Sequence, residues 1–172
     1  MSPSYTEADA LVDVIVEIPS GSRNKYEFDH EQNVFRLDRR LFTATRYPSD
    51  YGFVPDTLSE DGDPLDALVL LDDPTFPGCW ISTRIIGVFF MTDEAGPDSK
   101  LITVIDKDPQ REHIRDIEDL PRHLVDEIQH FFSIYKDLEP GKNSDPRFFR
   151  GRDDAIAELE ACRQRFRETG GH

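Results

Sequence analysis

Three carboxylates stand within six residues in the stretch Ser59-Glu60-Asp61-Gly62-Asp63-Pro64-Leu65-Asp66-Ala67. On a straight strand Asp61 and Asp63 would share a face and Asp66 would point away. Gly62 and Pro64 supply a turn instead, which lets all three converge. Converging carboxylates repel and raise each other's pKa unless a cation neutralises them. Hard oxygen donors of this kind select Mg²⁺, Mn²⁺ or Ca²⁺. An exposed acidic turn ahead of the next strand is the alternative reading. An EF-hand is excluded: Asp61 and Asp63 fit the first and third loop positions, but Leu65 replaces an oxygen ligand and Asp66 replaces the required glycine.

A second acidic loop, residues 91–100, carries Asp93 and Asp98 between two strand candidates. A two-metal site needs more carboxylates than one loop supplies, so the two loops gain meaning together. Lys25 and Glu27 share a strand face and could hold an anion beside a metal, or form a solvated ion pair. Arg39 follows a strand. Tyr47 and Tyr51 flank a tight turn, either as core-edge phenols or as site groups. Tyr135-Lys136 ends a predicted helix, where a lysine also answers the helix dipole. No nucleophilic triad, GxxxxGK phosphate loop or HExxH pair occurs. His123 and His130, seven apart on that helix, read as surface or subunit contact.

The elements that must position these groups are strands first and helices later. Residues 11–18 put Val12, Val14, Val16 and Ile18 on one face, and 25–29 alternates cleanly. Further short strands are predicted over 34–37, 67–71, 81–91 and 101–105, with Gly, Pro and Asp punctuation between them. Asp119 is a plausible N-cap and Pro121 a first-turn residue for a helix carrying Leu124, Ile128, Phe131, Phe132 and Tyr135. A second helix is predicted over 153–168, with Ile156, Leu159 and Phe166 inward and 141–152 as loop. The class is α+β: a strand-rich body with two packed helices in the C-terminal half.

The chain has 172 residues and reads as one domain over 1–172, with 1–10 and 169–172 expected to be flexible. Acids outnumber bases 35 to 20, a formal charge of −15. That argues against nucleic acid and anionic membranes as partners. The apolar runs 67–71 and 85–91 fall far short of the roughly 20 residues that cross a bilayer. The N-terminus has neither the basic nor the apolar region of a secretory signal. Cys79 and Cys162 form no CxxC pair, so no disulfide framework is indicated and a reducing cytoplasm is the expected location.

At this point the residues resemble the soluble family I inorganic pyrophosphatases. The signature D-x-D-P-x-D is met by Asp61-Gly-Asp63-Pro-Leu-Asp66. Around it, in order, stand Glu17-Ile-Pro, Lys25-Tyr-Glu27, Asp38-Arg39, Tyr47-Pro, Asp50-Tyr51-Gly, Met91-Thr-Asp93-Glu-Ala-Gly, Asp98-Ser-Lys100, His130-Phe-Phe and Tyr135-Lys136-Asp-Leu-Glu. The resemblance spans about 12–142. It implies a five-stranded OB-like antiparallel β-barrel carrying helices, and Mg²⁺-dependent hydrolysis of inorganic diphosphate to two orthophosphates.

By the same resemblance, Asp61, Asp66 and Asp98 are ligands of a first metal, with Asp66 bridging to a second. Asp93 and Asp98 serve a further Mg²⁺ that arrives with substrate, and Glu17 and Glu27 are outer acids acting partly through water. Asp63 accepts the proton of the attacking water. Lys25, Arg39, Tyr51, Lys100, Tyr135 and Lys136 surround the two phosphates. Mn²⁺ or Zn²⁺ are expected substitutes. Ca²⁺, which tolerates more ligands and longer distances, is expected to bind and inhibit. A homo-oligomer, a hexamer in bacteria, is implied. Ile134 departs from a histidine found at a subunit contact in some bacterial members. Residues 143–150 depart from the family's apolar-tryptophan segment, and 2–9 match nothing in it.

Overall fold

The computed structural model describes residues 4–171. Eight strands and two α-helices follow in the order β1 (Leu11–Ile18), β2 (Asn24–Asp29), β3 (Val34–Arg40), β4 (Asp50–Phe53), β5 (Asp66–Leu70), β6 (Trp80–Asp93), β7 (Gly96–Ile105), α1 (Arg122–Ile134), β8 (Ser144–Gly151) and α2 (Arg152–Glu168). Mostly sheet with two helices, this agrees with the class read from the sequence. The expectation for the chain ends falls partly on residues 1–3 and 172, which lie outside the described residues. Ala8–Ala10 forms a 3-10 turn with Ala10 buried. None of the described helices is long and apolar enough to cross a membrane.

Strands pair in the order β1-β4-β5-β7-β6-β8, and a further β1–β6 pairing closes β1, β4, β5, β7 and β6 into a ring of five. Four of the ring's pairings are antiparallel and β5–β7 is parallel. The purely antiparallel expectation is therefore corrected, and the reason is topological. Directions cannot alternate all the way round an odd-numbered ring. At least one neighbouring pair must run the same way.

Alternation along each strand sorts side chains onto two faces. Ala67 and Val69 of β5 and Leu101 of β7 pack with Val12, Val14 and Val16 and with Ala155, Ile156, Leu159 and Cys162 of α2. Leu68, Leu70, Ile102 and Val104 face the other way, against Ile128, Phe131 and Phe132 of α1. Burying each such side chain contributes on the order of 2 kcal/mol. By the same alternation Asp66, Asp98 and Lys100 lie on the α1 face and Ser99 on the α2 face. Phe166, expected inward, is only half-buried.

Three local expectations are corrected. Residues 141–152 are not all loop: Ser144–Gly151 is an edge strand on β6. Pro146 obscures it in the sequence, yet an edge strand has a side with no ladder to break. Phe149 stacks on Phe89 with ring centroids 4.6 Å apart. Residues 91–100 form a tight hairpin, with Asp93 opposite Gly96 and only Glu94 and Ala95 between them. Asp119 does not cap α1. It closes a capping box with Asp116 around the 3-10 turn Ile117–Asp119, and α1 starts after Pro121. Pro121 offers no capping side chain; its carbonyl accepts the first helical N–H groups, from Leu124 at 3.1 Å and Val125 at 3.4 Å.

β2 and β3 form a separate hairpin. It docks on the ring through Glu17, whose Oε2 accepts the Phe28 N–H at 2.8 Å, and through Phe28 stacked on Phe53 at 5.8 Å. A cavity is left between the hairpin, the ring's α1 face and the chain after α1.

Candidate active site

That cavity, about 360 Å³, is lined by every residue that the resemblance implies as metal ligand, proton acceptor or phosphate contact: Glu17, Lys25, Glu27, Arg39, Tyr51, Asp61, Asp63, Asp66, Asp93, Asp98, Lys100, Tyr135 and Lys136. Most come from strand ends or turns, while Glu27 and Lys100 project from within β2 and β7. Tyr47, His30, Glu94 and Lys142 also line it. Tyr47 fills both roles open to it: it lines the cavity and packs on Phe131 at 4.8 Å.

The turn carrying Asp61 and Asp63 is built from within. Ser59 N–H donates to Asp63 O at 2.7 Å, Gly62 N–H to Ser59 O at 3.1 Å, and Asp63 N–H to Asp61 Oδ1 at 3.0 Å. Gly62 has φ +92°, a region that a side chain strains, so the glycine of this motif is a backbone requirement. Leu65 N–H donates to Thr57 Oγ1 at 2.9 Å and fixes the entry into β5.

Asp66 and Lys100 are register partners across the parallel β5–β7 pair. Lys100 Nζ, 1% exposed as a residue, lies 3.0 Å from Asp98 Oδ2 and 3.1 Å from Asp66 Oδ2, and donates to Tyr51 Oη at 2.6 Å. Tyr51 in turn donates to Asp66 Oδ2 at 2.6 Å. Burial alone would lower the lysine's pKa, but the Asp98 and Asp66 charges outweigh it and hold Lys100 well above its ordinary range.

Glu17, Asp61 and Asp63 lack such a partner. Burial pushes Glu17 up to about 8 and Asp61 up to about 6, each against a single backbone N–H that favours the charged form. Burial, then the charges of Glu27 and Asp98, raises Asp63. Burial raises Asp98 too, with Lys100 opposing. Among the described residues Glu17, Asp61 and Asp63 pair with no lysine or arginine within 4.0 Å.

The basic groups are held by other acids. Arg39 meets Glu139, 6% exposed, through Nε–Oε1 at 2.8 Å and NH2–Oε2 at 3.3 Å, and also pairs with Asp38. Lys136 Nζ lies 3.2 Å from Glu94 Oε1 and 3.4 Å from Asp93 Oδ2. Lys25 pairs with Glu27 and lies 3.7 Å from Asp38. Burial would raise Glu94, but backbone hydrogen bonding and Lys136 hold it down at about 2. Glu94 and Glu139 stand inside the two motifs at 91–96 and 135–139, and the sequence alone assigns neither a role. Their signal was their place beside Asp93 and after Lys136.

Eight acids and five Lys or Arg line the cavity. Among the described residues no three acids already converge as a ready-made metal cluster. In donor chemistry and charge the set still fits divalent cations. The acidic donors are all oxygens, the acids outnumber Lys and Arg by three, and Glu17 and Asp61 are partly buried with no Lys or Arg of the described residues within 4.0 Å.

The family model described as "Inorganic pyrophosphatase" matches residues 14–167. An inorganic pyrophosphatase of Streptomyces coelicolor is 61% identical over 160 residues, covering 93% of this chain and 98% of that one. One from Geobacillus stearothermophilus is 48% identical, covering 92% and 95%. The crystal structure of inorganic pyrophosphatase from Thermus thermophilus superposes with a TM-score of 0.91 at 45% identity, covering 96% of each chain. The inorganic pyrophosphatase from Helicobacter pylori gives 0.90 at 42%, covering 97% and 99%. A match that takes in both carboxylate segments, the ring and both helices settles the family: this chain belongs to the inorganic pyrophosphatases, which are diphosphatase enzymes.

Proposed function

We propose that the chain hydrolyses inorganic diphosphate to two orthophosphates in this cavity, with Mg²⁺ as the metal. The observation that carries the proposal is the excess of acids on a wall that also presents Lys25, Arg39, Lys100 and Lys136. Such a wall repels a small polyanion unless divalent cations come between them, and phosphoryl transfer depends mainly on positioning and charge neutralisation.

Asp61, Asp66 and Asp98 would hold the first ion, with Asp66 shared with a second. Asp93 with Asp98 would hold a further ion, and Glu17 and Glu27 would act partly through water. When bound, such ions neutralise phosphate charge and acidify water toward neutrality. Asp63 orients the attacking water and takes its proton at a carboxylate oxygen. Its raised pKa brings it closer to the pH at which a general base works best. Arg39, Lys25, Lys100 and Lys136 bind the phosphates as cations, and Tyr51 and Tyr135 do so through their hydroxyls. Mn²⁺ or Zn²⁺ substitute for Mg²⁺. Ca²⁺ binds but inhibits, because its looser coordination does not fix the attack geometry.

The ring order β1-β4-β5-β7-β6 supports an OB-like barrel. The net charge supports the absence of nucleic-acid and membrane partners. A cytoplasmic homohexamer completes the reading, and exposed Phe42, Phe76, Trp80 and Leu138 are apolar surface that subunit contacts would cover. Phosphate release from diphosphate, followed with Mg²⁺, with chelator and with Ca²⁺, tests the proposal. Release only with Mg²⁺ or its substitutes is expected; equal release in chelator overturns it.

A further inference from the structure

α2 lies on the opposite face of the ring from the cavity, and its polar contacts reach both carboxylate-bearing segments from behind. Ser99 stands between Asp98 and Lys100, and the strand's alternation turns it toward α2. Its Oγ, in a residue 8% exposed, donates to Glu158 Oε1 at 2.9 Å. One helical turn on, the Cys162 thiol lies 3.6 Å from the same oxygen and 3.8 Å from Ser59 Oγ. Ser59 is the base of the turn that carries Asp61 and Asp63. Leu58 beside it donates its N–H to Cys162 O at 3.0 Å and accepts from Arg165 NH1 at 2.7 Å.

A helix that merely covered the ring would need only its apolar stripe of Ala155, Ile156, Leu159 and Cys162. Glu158 is different. It is a half-buried carboxylate with no Lys, Arg or His ion-pair partner among the described residues, and its side chain accepts only a hydroxyl and a thiol. Desolvating an acid for such contacts costs stability, so packing alone does not account for it.

We propose that Glu158, through Ser99 and with Cys162 and Ser59, is a positioning residue that sets the distance between the Asp61–Asp63 turn and Asp98. It rests on the proposed Mg²⁺ role of those acids. Mg²⁺ demands near-octahedral geometry, whereas Ca²⁺ accepts a range of distances and ligand numbers. Loosening the bracket therefore costs Mg²⁺ affinity more than Ca²⁺ affinity. Groups hydrogen-bonded directly to metal ligands typically change metal affinity about 10–100-fold when removed, and a bracket acting one residue away belongs at the low end of that range.

Calorimetric titration of Mg²⁺ and of Ca²⁺ into the metal-free full-length chain tests this, with melting temperature recorded alongside. Ser99→Ala and Glu158→Ala are expected to raise the Mg²⁺ Kd roughly tenfold and the Ca²⁺ Kd by less than about threefold. Glu158→Gln, which keeps an oxygen acceptor for the Ser99 hydroxyl, should stay within about twofold of the parent chain. The Ser99→Ala/Glu158→Ala double variant should lose no more than either single one, because both break the same link. If Glu158→Ala does not fold, Ser99→Ala and Glu158→Gln decide. A lowered melting temperature with an unchanged Mg²⁺ Kd, equal losses for the two ions, or additive losses in the double variant each overturn the inference. Absence of Mg²⁺ uptake by the parent chain overturns the metal reading itself, and the inference with it.

Discussion

Lys100 and Asp98 lie two residues apart on β7, on the same face, and their charged groups meet at 3.0 Å where both are almost wholly buried. The same ammonium reaches Asp66 on the neighbouring strand. One lysine thus pairs with two acids proposed as metal ligands and offsets one of their two charges.

Lys100→Met should leave those carboxylates facing each other without a charge between them. Removing one partner of a buried ion pair costs about 3–5 kcal/mol. Urea unfolding of the metal-free chain is expected to show a loss of that order. Millimolar Mg²⁺ should restore part of it, since a cation that binds only the folded state stabilises it. A metal-free stability equal to the parent's would contradict this charge arrangement.

Gly52 illustrates a requirement of backbone proximity. A Cβ at this position of β4 would sit 2.0 Å from Ile15 O and 2.9 Å from Val16 Cα. The clash is with backbone, beside the irregular register between Val16 and Ile18, so no rotamer relieves it. Gly52→Ala is expected to destabilise by about 3 kcal/mol or more, the range of severe core overpacking. Gly21→Ala serves as contrast: nothing lies within 4 Å of its Cβ, and its cost is only that of φ +82°. Chemical unfolding of the two variants compares them, and equal midpoints would contradict the close approach.

The Cys162 thiol is pushed up from 9.0 to about 11, by burial first and then by the Glu158 charge. The thiolate is the reactive form, so raising the pKa by that amount leaves roughly a hundredth of the usual thiolate at pH 8. Alkylation of the native chain with iodoacetamide should therefore modify Cys162 at least about 100-fold more slowly than a free thiol. Its rate should climb about tenfold per pH unit up to the raised pKa. Rapid modification at pH 8, read by peptide mass mapping, would contradict the burial of this side chain.

The cavity was legible in the sequence because its chemistry is concentrated in short segments with backbone reasons to turn. Gly62 and Pro64 announce the turn that gathers Asp61, Asp63 and Asp66, and strand alternation puts Asp98 and Lys100 on one face. β4 left no such mark. It is four residues long, contains Gly52, and is a strand only because β1 and β5 sandwich it. β8 was hidden by Pro146 and by its partner lying over 50 positions away on β6. The parallel β5–β7 pair follows from ring closure, which no local pattern records. Glu139 and Glu158 escaped for the same reason: each matters through a partner distant in the chain, Arg39 for the one and Ser99 for the other.

The most direct test of the central claim is the turnover of diphosphate by Asp66→Ala at saturating Mg²⁺. Asp66 is the carboxylate that Lys100 and Tyr51 orient and the one proposed to be shared by two ions. Losing it removes more than one hydrogen bond from the transition state, so kcat is expected to fall roughly 10³-fold or more, with the fold retained. A kcat within about threefold of the parent chain would contradict the assignment of this cavity as a carboxylate-held magnesium site.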